Sequence, residues 1–239
     1  MRLLIPMSGR GSRFAQKGYT FPKPLIDVRG KPMIQVVLET LPEAEEYIFI
    51  AQREHEEKYN LSSLLSNLTH GRSRCVFTDG VTEGAACSAL LARHLLRDQK
   101  PLMIANSDQY VRFNKFNFAL LSDLMADPQN VLDGLIFTFN ATHPKWSFVE
   151  LQDFTIRRVA EKNPISNIAT CGIYYWRHSE DFVRSADAMI AANDRVNGEF
   201  YIAPTFNYLI HESQWIAPFF VDEMKGLGTP EDLEAFLSE

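Results

Sequence analysis

Five cations and no acid fall within the first 26 residues: Arg2, Arg10, Arg13, Lys17 and Lys23, in a 239-residue chain of formal charge -6. Between Met7 and Leu25 the stretch reads SGRGSRFAQKGYTFPKP. Gly9 and Gly11 let backbone come close to a ligand, and successive free N–H groups on such a turn form an anion nest. Ser8 and Ser12 flank them. Arg10, Arg13 and Lys23 add charge-assisted bonds of the kind phosphate oxygens accept. Pro22 and Pro24 stiffen the backbone on either side of Lys23. A solvated loop with exposed cations is the plain alternative, but long ordered loops in compact domains tend to carry function. No Gly-Lys-Ser/Thr follows, so this is not a Walker loop, and Phe14 holds the third position of a dinucleotide fingerprint. Phosphate binding is the favoured reading.

A second candidate is Asp108, in Asn106-Ser107-Asp108-Gln109. A carboxylate just beyond a strand can hold a magnesium ion that bridges phosphate oxygens. An aspartate there can equally bond its own backbone in a turn. The residues alone leave both open.

Both features must hang on strand ends, and the hydrophobic pattern supplies them. Apolar runs at Leu3–Met7, Tyr47–Ala51, Arg74–Thr78 and Pro101–Ala105 alternate with helical patterns. These run from Pro32 to about Leu41, Arg53 to Leu68, Ala85 to Leu96 and Phe116 to Met125. That alternation predicts crossover units, hence an α/β, Rossmann-like sheet, mixed but mainly parallel and flanked by helices. The basic loop then leaves the carboxyl end of the first strand, where open α/β sheets place ligands. After residue 130 the rhythm changes. Strand-like runs at Gly134–Asn140, Ser147–Leu151, Thr155–Ala160 and Ile168–Trp176 predict an antiparallel extension of the same sheet. Helices follow at Ser179–Ala192 and Phe200–His211, then a strand at Trp215–Val221 and a helix at Pro230–Leu237. With no repeat or linker, a single domain over 1–239 is expected.

Composition narrows the partners. The acidic balance argues against non-specific nucleic-acid binding or an anionic membrane surface. No apolar run suits a membrane span or a signal sequence. Cys75, Cys87 and Cys171 have no paired spacing and suit a reducing compartment. A cytoplasmic protein with neither nucleic-acid nor membrane partner is the expectation. None of the six histidines has metal spacing, and Trp146, Trp176 and Trp215 are expected in the core or at its rim.

The S-G-x-G-S-R-F start, the F-P-K-P-L that follows and the G-K-P-M-I at Gly30–Ile34 together resemble the sugar-phosphate nucleotidylyltransferases, typified by glucose-1-phosphate thymidylyltransferase. The resemblance runs along the chain and is strongest up to about residue 110. It implies Mg²⁺- or Mn²⁺-dependent transfer of a nucleotidyl group from a nucleoside triphosphate to a phosphorylated small acceptor, by default a sugar 1-phosphate. It also leaves a homo-oligomer open. In catalytic roles it places Arg13 and Lys23, and for the metal Asp108. It puts the nucleobase near Gly84 and Ala85, where Thr82 as a helix cap is the bland reading. For the acceptor it points to Lys162 in Glu161-Lys162-Asn163-Pro164, to Gly172, and to Glu199 after Asn197-Gly198. Glu199 capping a helix is the alternative there.

One departure stands out. Such enzymes draw a second metal carboxylate from two residues before a Gly-Thr pair, and that position is Gly226; Asp222 and Glu223 are the nearby candidates to compensate. The missing aspartate at Gly226 raises a non-catalytic nucleotide-binding protein as one alternative, and two alternative enzymes accompany the main expectation. One is a CTP-dependent enzyme acting on a non-sugar phosphate. The other is a nucleotide-sugar-dependent glycosyltransferase of the same fold.

Overall fold

The computed structural model describes residues 1–239. Strand β1 (Arg2–Pro6) is followed by a short helix α1 (Ser12–Gln16), a 3-10 turn at Lys23–Leu25 and a hairpin of β2 (Asp27–Val28) and β3 (Lys31–Pro32). Then come α2 (Met33–Thr40), β4 (Glu46–Gln52), α3 (Arg53–Tyr59), α4 (Leu61–Leu68), β5 (Ser73–Thr78), α5 (Ala85–Leu90) and β6 (Leu102–Ala105). After these lie β7 (Gln109–Arg112), α6 (Lys115–Ala126), β8 (Leu132–Asn140), β9 (Ser147–Gln152), β10 (Thr155–Glu161) and β11 (Ile168–Trp176). The chain closes with α7 (Ser179–Ala191), α8 (Thr205–His211), β12 (Trp215–Phe220), β13 (Glu223–Gly226) and α9 (Pro230–Leu237).

Nine strands form one sheet, in the order β10-β9-β11-β6-β1-β4-β5 with β8 and β12 joined to β11. The β6-β1-β4-β5 part is parallel, as the crossover pattern requires. Strand β11 enters antiparallel to β6 and carries the antiparallel β8, β9 and β10. The α/β class with a mixed sheet is thus as expected. One strand breaks the antiparallel rule of the second half: β12 runs parallel to β8, because α7 and α8 bring the chain back to the end where β11 finishes, beside the start of β8.

Side-chain alternation divides the core. Leu4, Ile48, Ile50, Leu102 and Ile104 face one 26-residue cluster, while Leu3, Ile5, Phe49, Met103 and Ala105 face a 24-residue cluster on the opposite side. Both faces are covered, so the central strands read as continuous apolar runs. A third cluster of eight residues sits apart and joins Phe14, Ile26, Val28, Met33 and Val36 to Leu227, Leu233 and Phe236.

Several boundaries move. Helix α5 stops at Leu90 and gives way to a 3-10 turn at Arg93–Leu95, and α8 starts only at Thr205. Pro32 lies outside α2 as its N-cap. The β7–β13 pairing, Gln109 with Gly226 through Arg112 with Glu223, has no counterpart in the sequence reading.

The amino end of the sheet is locked by Arg2. Its guanidinium makes two bonds of 2.6 and 2.8 Å to Asp98 and one of 3.0 Å to Glu46. Asp98 also accepts from Ser179 at the start of α7. The hydrogen bond from Arg2 is the main reason the Asp98 carboxyl is held down at about 2. A carboxyl depressed in the folded state adds stability above its unfolded pKa, and that stability fades as pH falls towards the folded value. Asp98→Asn therefore melts at lower temperature than the wild type near pH 6. The gap closes as pH drops from about 4 towards 2, a trend that thermal unfolding across pH measures.

Candidate active site

One open cleft of about 1050 Å³ crosses the carboxyl ends of β1 and β6 and extends to β9, β10 and β11. Ser8, Gly9, Arg10, Gly11, Ser12, Arg13, Lys23, Gly84, Ala85, Asp108, Lys162, Gly172 and Glu199 all line it. In sheet order β10 lies four ladder steps from β1, roughly 19 Å along an unbent sheet. The cleft is long enough for two ligands end to end.

The basic loop is built from its anchors outward. Gln52 Nε2 donates to the Ser8 carbonyl at 2.8 Å, and Ser8 Oγ bonds Ser88 Oγ at 3.1 Å, which fixes the exit from β1. Gly11 adopts φ +60 as the N-cap of α1, a conformation that side chains resist. That turn buries Phe14 (1% exposed) in the small third core, with Tyr19 edge-on at 5.1 Å. A Cβ added at Gly9 would meet no atom, so packing does not require glycine there and the space stays free for a ligand. Arg10 and Arg13 are exposed, and neither is held by a carboxylate. The first N–H groups of α1 likewise have no helical partner. Lys23 instead forms an ion pair with Asp108 Oδ2, and this pair ties the basic loop to the loop after β6.

Asp108 is positioned by its neighbours in β7 and β13. Its carbonyl accepts from Leu227 N–H at 2.8 Å, and a Cβ at Gly228 would lie 2.8 Å from its Oδ2. At Gly226 the space is partly claimed by another acid: Asp232 Oδ2 lies 3.3 Å from where a Cβ would stand. Asp222 and Glu223, the sequence candidates, do not line the cleft, and Glu223 pairs with Arg112 outside it. Asp232 does line it, bonded to Lys145 Nζ at 2.9 and 3.2 Å. Its backbone N–H also meets the N-cap Thr229 Oγ1 at 3.1 Å. That capping pattern explains Asp232 without a site, which is why the sequence did not single it out.

The turn before α5 carries a correction. Its N-cap is Gly84, not Thr82, whose hydroxyl bonds Ser88 Oγ at 2.6 Å instead. Gly84 has φ +138, and a Cβ there would collide with the Phe200 backbone at 2.3 Å. The glycine is thus required by close packing of the 199–200 segment, and the cleft is bordered by its backbone and by Ala85. Gly172 is similar: at φ +74 in the β11 irregularity, its missing Cβ makes room for Asn106 Nδ2 and Gln109 Oε1, each 2.4 Å away.

At the far end, Lys162 follows β10 with φ +54, and its ammonium bonds the Tyr201 hydroxyl and lies 4.5 Å from that ring's centre. Glu161 accepts from Ser147 Oγ, and burial raises its pKa above the usual carboxylate range. Glu199 does not cap a helix. It closes an Asn197-Gly198 turn whose two central residues both have positive φ, with Val196 and Glu199 exchanging backbone bonds of 3.0 Å. Trp176 is wholly buried and Trp215 is 41% exposed, while Trp146 lines the cleft wall.

Over residues 4–233 the sequence matches the nucleotidyl transferase family. The chain belongs to that family. The resemblance read from the N-terminal motifs therefore holds. Among curated relatives, the bifunctional protein GlmU of Methanocaldococcus jannaschii is 23% identical over 177 residues, covering 73% of this chain and 39% of that protein. The chain thus spans about two-fifths of that relative's length. The same fold appears in a nucleoside-diphosphate-sugar pyrophosphorylase from Vibrio cholerae. It has a TM-score of 0.83 and 23% identity, covering 99% of this chain and 100% of that one. It appears again in a structure described as a glucose-1-phosphate thymidylyltransferase of Bacillus anthracis, with TM-score 0.80, 18% identity and coverages of 100% and 94%.

The small core beneath the loop gives a test. Phe14→Ala removes a fully buried ring and is expected to cost about 3 kcal/mol. Thermal unfolding gives that loss. At temperatures where the variant stays folded, the sheet's circular dichroism is expected to match the wild type's.

Proposed function

We propose that this protein transfers a nucleotidyl group from a nucleoside triphosphate to the phosphate of a small acceptor of the sugar 1-phosphate class, releasing pyrophosphate. The observation that carries the reading is the placement of two cationic groups along one cleft. Arg10, Arg13 and Lys23 gather at one end, and Lys162 stands apart at the other. Two phosphate-bearing ligands, not one, match that spacing.

The acceptor phosphate is already largely dianionic near neutrality, with a second pKa of roughly 6, so its oxygen needs no general base. It attacks the α-phosphorus in line. The bond from that phosphorus to the bridging oxygen breaks, and the electron pair leaves with pyrophosphate. Bringing two anions together and keeping them aligned is the protein's task. Arg13 and Lys23 hold the triphosphate, Ser8 to Ser12 wrap its phosphates with backbone N–H groups, and Gly84 and Ala85 border the base. Lys162 holds the acceptor phosphate, with Gly172 and Glu199 at its sides.

A divalent cation fits this donor set. Magnesium takes one or two carboxylates and completes its shell with phosphate oxygens and water. Asp108 and Asp232 offer hard oxygens on either side of the Gly226–Gly228 segment. Bound there, Mg²⁺ or Mn²⁺ would supply charge screening at the phosphates. The three cysteines are unpaired, which suits a reducing, cytoplasmic setting. No helix is long and apolar enough to cross a membrane.

A matrix of five nucleoside triphosphates against phosphorylated acceptors, read by pyrophosphate release, tests the proposal. The expected result is release that requires one triphosphate and one acceptor together. Release by a non-sugar phosphate with CTP alone would move the acceptor class. No release from any pair would remove the reading. With the working pair, Lys23→Ala is expected to lower turnover by roughly 100-fold or more while the melting temperature shows it folded. An unchanged rate removes Lys23 from the catalytic set.

A further inference from the structure

The acceptor end of the cleft is crowded with hydrogen-bond acceptors and short of positive charge. Glu161 has Ser147 Oγ as its hydroxyl partner and faces Lys162, Glu199 and Tyr174. Lys162, the nearest cation, is committed to the Tyr201 hydroxyl and ring and makes no close ion pair with either carboxylate. Arg195 is held by Glu83 and by the Gly198 carbonyl, and Lys145 by Asp232. Gln109 adds a third acceptor: it is 8% exposed, lines the cleft against Gly172, and its Oε1 is buried without any partner.

A buried carbonyl oxygen with no donor costs about 1–3 kcal/mol, so a ligand that supplies one is favoured there. Charge adds a second constraint. Once Lys162 takes the acceptor's phosphate, that phosphate and the two glutamates leave this end of the cleft with an excess of negative charge. A ligand with only neutral hydroxyls does not relieve them. An ammonium group does, and it carries three N–H donors and no acceptor. Glu161, Glu199 and Gln109 all line this cleft.

We propose that the acceptor is a phosphomonoester that also carries a protonated amino group, bound by Glu161, Glu199 and Gln109 Oε1 while its phosphate takes Lys162. This rests on the nucleotidyl-transfer reading only for naming this end the acceptor's. Amino sugars and amino alcohols both supply the group, and matched pairs separate them.

Calorimetric binding to the whole chain is measured for glucosamine 1-phosphate against glucose 1-phosphate, and for phosphoethanolamine against ethyl phosphate, with pyrophosphate release followed alongside. In at least one pair the amino member is expected to bind about tenfold tighter, a charge-assisted preference. Glu161→Gln and Glu199→Gln are each expected to cut that preference to about threefold or less by removing the charge. Glu199 lies on an exposed turn, so its variant keeps the test readable if Glu161→Gln fails to fold. Equal or tighter binding of the neutral member in both pairs overturns the proposal. So does a preference that survives Glu199→Gln, or no binding of any of the four. An amino preference without pyrophosphate release from any triphosphate supports the ammonium site and counts against nucleotidyl transfer instead.

Discussion

A loop that carries four cations within fifteen residues keeps its shape only if something other than charge holds it. Here that is the small core in which Phe14 packs with Leu227, Leu233 and Phe236. Like charges on Arg10, Arg13, Lys17 and Lys23 repel one another, while Phe14 buries its whole ring beneath them. The same core fixes the tail that carries Gly226, Gly228 and Asp232. The basic loop and the two aspartates beside it in the cleft, Asp108 and Asp232, are therefore registered against each other by one apolar contact set. The Lys23–Asp108 ion pair then sets the fine position.

From that end the cleft runs along a charge gradient. Unpaired arginines at the β1 exit give way to lysine–aspartate pairs in the middle and to Glu161 and Glu199 at the far wall. Such a gradient suits a polyphosphate at one end and a smaller, less negative partner at the other. The parallel half of the sheet supplies the first, through the exits of β1 and β6. The antiparallel half supplies the second, through the β9–β10 hairpin end and the Asn197-Gly198 turn. The order of strands in the sheet is what places the two chemistries within one cleft.

Much of this was legible in the sequence, for definite reasons. Strands β1, β4, β5 and β6 are short apolar runs between helical patterns, and the glycines and cations after β1 state their own chemistry. What was hidden depends on distant partners. Strands β7 and β13 have four residues each and pair across more than a hundred intervening positions, so neither shows a local pattern. Asp232 satisfies the helix-capping rule so well that no further role is suggested. Gly84 illustrates the reverse case: its position was apparent, but its cause, the Phe200 backbone 2.3 Å from a would-be Cβ, exists only after folding. Glu161 stood beside a nominated lysine, and only its burial makes it matter.

The central claim is that the α-phosphorus, and no other, changes partners in this cleft. The most direct measurement follows a triphosphate labelled separately at its α- and γ-phosphorus through turnover with a phosphorylated acceptor. The account predicts that the α label appears in a diphosphate joined to the acceptor while the γ label leaves in pyrophosphate. Transfer of the γ label to the acceptor, with a nucleoside diphosphate left behind, would contradict it.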